Sequence, residues 1–284
     1  MLQQKRVAAI HDISGVGKCS LTVALPIISA AGVECSVLPT AVLSTHTGGF
    51  TGFTYRDLTA DILPIVEHWQ SLKLHFDAIY TGFLGSFEQI ELVGQAFDRL
   101  AGLDTLIAVD PVMADNGQLY TIFDADFPPA MRRLCERAQL IMPNLTEAAF
   151  MLGEPYQEGP YTKDYIEGLL RRLAAAIPAE NIVCTGVYFD DVQLGAAAYN
   201  RTADRVDYIL GRKIPGSYHG TGDVFGSALI GALMRGKPLA DACRIAIDFT
   251  IAGIDWTHQA GTELRYGVNF EANLPGYIQA LGLL

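Results

Sequence analysis

The chain has 284 residues, half of them hydrophobic and 18% charged, which is ample material for a core and compatible with one 1–284 domain. Lys and Arg number 20 against 31 Asp and Glu, a net charge of −11 with no basic run, so nucleic acid is not an expected partner. Five cysteines without a C-x-x-C or Cys/His cluster argue for a reducing compartment and against structural zinc. No apolar run has the length of a membrane span. The N-terminal "MLQQKRVAAIHD" holds an apolar run of only four residues before His11, too short for a signal-peptide core, so a cytoplasmic protein without a membrane partner is expected.

Short apolar runs alternate with helical patterns along the chain. Strands are predicted at 6–10, 35–42, 78–82, 106–110, 140–144 and 181–186. Helices are predicted at 20–32, 58–72, 86–100, 127–138, near 146–152, and at 162–176, with Ser86 as an N-cap. The runs 195–200 and 205–210 lack a helix between them and read as an antiparallel edge. Helices at 222–235, 239–257 and 270–281 close the chain. The alternation predicts an α/β fold with a mostly parallel sheet covered on both faces. Two polar stretches, 44–55 and 113–124, lack a pattern and suit flaps over a site.

The stretch "HDISGVGKCS" (11–20) follows the first strand. A P-loop would need Gly at position 12 and Ser or Thr at 19, where Asp12 and Cys19 stand. A dinucleotide fingerprint would need a third glycine at Ser20, and no acidic residue follows the second strand. The expectation is a Gly-rich turn at a strand's carboxyl end, where open α/β sheets bind ligands.

The stronger signal is "HGTGDVFGSALIGALM" (219–234). Gly220, Thr221 and Gly222 precede an apolar helical pattern, so backbone N–H groups and the helix dipole can hold phosphoryl oxygens. Asp223 stands in the first turn, able to accept a proton from an attacking hydroxyl, and equally able to serve as an ordinary first-turn carboxylate. Companions lie at other strand ends. "VDPVMAD" supplies Asp110 and Asp115, and "PNLTEA" supplies Asn144 and Glu147. Such oxygens suit a hydrated Mg²⁺ that leans on phosphates, although "NLTE" also reads as a capping pattern.

"GTGD" before an apolar helix, with "DPVMAD", "PNLTEA" and "STHTG" (44–48), resembles the ribokinase-like superfamily over nearly the whole chain. "STHTG" together with "YTGFLGS" (80–86) resembles its vitamin B6 branch, the pyridoxal kinases. The resemblance implies a three-layer ribokinase-like sandwich. It also implies ATP-dependent phosphorylation of the 5′-hydroxymethyl of pyridoxal, or of pyridoxine or pyridoxamine. Asp223 would be the base and Gly220, Thr221 and Gly222 the anion hole. Asp110, Asp115, Asn144, Glu147, Thr185 and Lys213 would face ATP and its phosphates, with Asp110 and Glu147 near Mg²⁺ through water and Tyr120 near the flap. Asp12, Cys19, His46, Thr47 and Phe83 would surround the pyridine ring, with the turn from Asp12 to Cys19 closing over it. A homodimer is implied as well. Asp12 replaces a Ser of better-known relatives and could pair with a protonated ring nitrogen, while Phe83 replaces a frequent Tyr. Lys18 reads as a solvated loop lysine. Hydroxymethylpyrimidine kinase is the alternative within the superfamily. A non-catalytic nucleotide- or B6-binding protein is the alternative outside catalysis.

Overall fold

The computed structural model describes residues 4–284. β1 (Arg6–Val16) leads through α1 (Leu21–Ala30) to β2 (Glu34–Thr45), and a short β3 (Tyr55–Asp57) folds back along β2. α2 (Ile62–Ser71), β4 (Ala78–Thr81), α3 (Phe87–Leu100) and β5 (Leu106–Val109) continue the alternation. A small hairpin of β6 (Ala114–Asp115) and β7 (Gln118–Leu119) precedes α4 (Phe127–Cys135), β8 (Leu140–Ile141), α5 (Leu145–Met151), α6 (Lys163–Ala176) and β9 (Asn181–Val187). β10 (Gln193–Asn200), β11 (Arg205–Arg212), α7 (Thr221–Met234), α8 (Leu239–Ala260) and α9 (Leu274–Ala280) complete the fold.

The main sheet has the order β11-β10-β9-β8-β5-β4-β1-β2-β3. The six strands from β9 to β2 are parallel, and antiparallel pairing adds β10 and then β11 at one edge and β3 at the other. The expected three-layer sandwich is therefore found, with an antiparallel edge on both sides rather than one. Alternating strand residues feed two cores. Ile10, Ile79, Val109, Ile141 and Ile182 pack under α2 to α6, while Val7, Ala78, Ala108, Leu140 and Val183 pack under α1, α7, α8 and α9. Side-chain alternation across the pleat produces this division.

The connection from β1 to β2 crosses the second face through α1, and the later crossovers from α2 onward use the first. Strand order thus reverses between β1 and β4, and the carboxyl ends of those strands border the crevice where such sheets bind ligands. Two sequence expectations change here. β1 does not stop at Ile10 but runs to Val16, so only Gly17 to Cys19 form a turn. The patternless 113–124 stretch contains the β6–β7 hairpin, turning at Asn116 and Gly117 with positive φ.

Candidate active site

Gly220 caps α7 with φ 75°, a left-handed conformation that glycine adopts without strain. A Cβ there would run into the Lys18 carbonyl oxygen, whereas a side chain at Gly222 would meet open space. The helix therefore starts tight against the β1–α1 turn on one side and leaves its first amides free on the other. Asp223 lies in that first turn. The protein packed around it lifts its carboxyl to about 7, the backbone amide of Ser20 lowers it, and the charge of Asp12 raises it further. A carboxylate poised near neutrality beside free helix-start amides can take a proton from a hydroxyl while those amides hold an anion.

Asp110, just beyond β5, is buried with Glu147 and Asp223 as electrostatic neighbours. Burial and those neighbours push its carboxyl up. Glu147 is buried too. Its carboxylate accepts the backbone N–H of Met113 at 3.0 Å and of Asn144 at 2.9 Å. Asn144 returns a side-chain oxygen to the Glu147 amide at 2.9 Å and donates to the Ala114 carbonyl at 2.8 Å. The capping reading of "NLTE" is thus what the hydrogen bonds show, and the same pair fixes the start of the flap hairpin. Asp115 is exposed on β6 and turned to Asn116. Thr185 bridges to Asn144 at the end of β9, and Lys213 rests over the Tyr188 ring at 4.4 Å. Among the described residues no three His, Cys, Asp or Glu side chains converge to hold a metal on their own.

Asp12 is 5% exposed, and its two oxygens accept the hydroxyls of Ser14 at 3.0 Å and Ser20 at 2.5 Å. Ser20 sits at φ 56°, ψ −132°, a strained conformation for a residue with a side chain, and it stands between Asp12 and Asp223. Burial, with Asp223 and Asp12 nearby, raises the Cys19 thiol well above its usual range, so Cys19 is a protonated thiol there. Both His46 nitrogens are committed: Nδ1 accepts the Gly48 amide at 3.1 Å, and Nε2 donates to the Arg265 carbonyl at 2.6 Å. That ring holds its loop together, while Thr47 is exposed beside it. Phe83 is half-buried, 5.9 Å from Phe123 across the flap.

The model of the phosphomethylpyrimidine kinase family matches residues 25–268. The chain belongs to the phosphomethylpyrimidine kinase family. It is 39% identical to a candidate phosphomethylpyrimidine kinase of Bacteroides thetaiotaomicron, with a TM-score of 0.92 over 96% of this chain and 94% of that one. A second crystal form of that relative contains pyridoxal (39% identity, TM-score 0.91, over 97% of this chain and 96% of that one). Pyridoxal kinase from Lactobacillus plantarum is 34% identical, with a TM-score of 0.89 and 98% of both chains covered. The pyridoxine/pyridoxal/pyridoxamine kinase of Bordetella bronchiseptica is 25% identical over 274 residues, 90% of each chain.

In this family member three side chains that the sequence left without a partner also pack near these groups. Tyr55 on β3 is 49% exposed, and a side chain at Gly85 would lie 3.4 Å from its hydroxyl and 3.7 Å from the Phe83 ring. Tyr80 is fully buried, and its hydroxyl occupies the space where Gly226 of α7 would carry a Cβ, one turn below Asp223. Lys18 is not a solvated loop lysine. Its ammonium donates to Asn269 at 2.5 Å and Glu271 at 2.9 Å, and its amide donates to the Tyr266 carbonyl at 3.1 Å.

Proposed function

We propose that the chain transfers the γ-phosphoryl group of ATP to the 5′-hydroxymethyl of pyridoxal, giving pyridoxal 5′-phosphate and ADP. The observation that carries this reading is Asp223, lifted to about 7 and set beside the free amides that start α7. In this reading Asp223 takes the hydroxyl proton as the oxygen attacks phosphorus, and the amides from Gly220 to Asp223 receive the phosphoryl oxygens. ATP lies along the ends of β8, β9 and β11, over Asn144, Thr185 and Lys213, with Asp115 and Tyr120 in the flap. Asp12, held by Ser14 and Ser20, pairs with the protonated ring nitrogen, and Cys19, His46, Thr47 and Phe83 line the walls around the ring.

The buried carboxyls of Asp110 and Glu147, pushed up without a cation beside them among the described residues, fit a Mg²⁺ held through water. When bound, that ion neutralises phosphate charge. Support for the B6 acceptor comes from the 39% identical relative crystallised with pyridoxal and from the 34% identical pyridoxal kinase. A cytoplasmic homodimer belongs to the same reading, and no helix among the described residues is long and apolar enough to cross a membrane.

A second reading, phosphorylation of a hydroxymethylpyrimidine, is favoured by the description of the matching family. Coupled ADP release with pyridoxal, pyridoxine, pyridoxamine and hydroxymethylpyrimidine in turn separates the two. Turnover fastest with a B6 vitamer is expected, and ADP release confined to the pyrimidine overturns the first reading. Asp223→Asn should lower kcat by about 10²–10⁴-fold while ATP still binds. A drop below tenfold removes Asp223 as the base.

A further inference from the structure

We infer that Gln89, a residue of α3 outside the reacting centre, is the positioning residue that sets the acceptor side of the site. Gln89 is 1% exposed, yet it uses its amide fully. Its Oε1 accepts the backbone N–H of Gly85 at 2.7 Å. Its Nε2 donates to the Thr40 carbonyl at 3.1 Å and to the Thr59 hydroxyl at 2.9 Å. The orientation of the amide is dictated by its partners, since the Gly85 N–H can only donate and the Thr40 carbonyl can only accept.

The partners lie on three different segments, those next to Phe83, Asp12 and Tyr55. Gly85 ends the loop that carries Phe83, and a side chain at Gly85 would touch Phe83, Tyr55 and Gln89 together, at 3.7, 3.4 and 3.7 Å. Thr40 lies in the irregularity of β2. There the β1 pairing jumps from His11↔Pro39 to Ile13↔Val42, so the extra residue of β2 falls opposite Asp12. Bulges of this kind redirect neighbouring side chains. The Thr40 carbonyl also accepts the Leu58 amide at 3.0 Å, and Thr59 follows directly, which ties the end of β3 and its Tyr55 to the same point. One amide thus joins the Phe83 loop, the strand beside Asp12 and the Tyr55 strand. The Gln89 backbone N–H donates to Ser86 at 3.1 Å, so the helix start itself is capped without the side chain. None of these contacts reaches the nucleotide side at β8, β9 and β11.

The inference rests on the proposed kinase reading, and the test separates the two. Gln89→Met keeps the volume and removes all three bonds. Gln89→Glu keeps the acceptor for Gly85 and loses the donation to Thr40. Expected for Gln89→Met is a rise of about tenfold in the acceptor KM, with the ATP KM within about twofold of the parent. Gln89→Glu should show a smaller rise. Titration of pyridoxine by its own fluorescence should show the same loss without turnover. An unchanged acceptor KM, or acceptor and ATP values that rise together, overturns the inference and leaves Gln89 as a core residue. If Gln89→Met does not fold, Thr59→Val, which removes one bond, carries the test: a rise of about threefold confined to the acceptor KM supports it, and no change overturns it. Parent protein that releases no ADP with any vitamer overturns the kinase reading itself.

Discussion

Asp223 and Asp12 are two enclosed carboxyls separated by one strained serine, and each raises the cost of charging the other. The base works only when ionised, so kcat/KM for pyridoxal should climb through about pH 7 and level above it. Removing the charge of Asp12 removes one of the causes that raise Asp223. Asp12→Asn should therefore move the midpoint to lower pH, and a midpoint that stays or moves up contradicts the pairing. The glycines and acids at strand ends were readable because each chemistry leaves its residue type at a predictable place. The capping role of Asn144 and Glu147 was readable only as one of two choices, since an Asn-x-x-Glu spacing suits a helix cap and a phosphate site alike. The backbone partners of His46 were not readable, because a polar loop says nothing of which backbone groups satisfy its side chains.

The helix start of α7 and the β1–α1 turn form one working unit. Gly220 tolerates no side chain, because its conformation is left-handed and the Lys18 carbonyl fills the space. Gly220→Ala should cut kcat by at least about 10²-fold, the order seen when an oxyanion donor is lost, with an unchanged circular dichroism spectrum. Turnover within a few-fold of the parent would show that the turn relaxes without cost. Gly222→Ala, facing open space, should impair phosphate binding rather than the turn. Long elements were legible because hydrophobic periodicity repeats within them, as in α3 and α6. β3 was not, because three residues exposed to solvent carry no alternation and exist only by pairing with the extension of β2.

His11 lies on β1, fully buried, 4.5 Å from the Tyr80 ring. Burial pushes its pKa down to about 3. An unfolded chain binds that proton below about 6.5, while the folded chain stays neutral until about 3, so acid favours unfolding across that window. The parent should lose stability there at up to about 1.4 kcal/mol per pH unit more than His11→Gln does. Equal losses in melts at pH 7 and pH 5 would show that the imidazole protonates in place. The mostly parallel sheet with a core on each face follows from the alternation read in the chain, whereas the strand order, the reversal between β1 and β4 and the antiparallel β3 edge do not.

The lysine at position 18 is gripped by Tyr266, Asn269 and Glu271, while its own carbonyl braces Gly220. The first helix turn of α7 thus takes its form only when residue 18 meets two stretches that lie about two hundred and two hundred and fifty residues further along the chain, at Gly220 and at 266–271. A protein clipped within 262–273 should lose ADP release with pyridoxal, and because Val268 and Phe270 are buried in the second core it should also melt at a lower temperature.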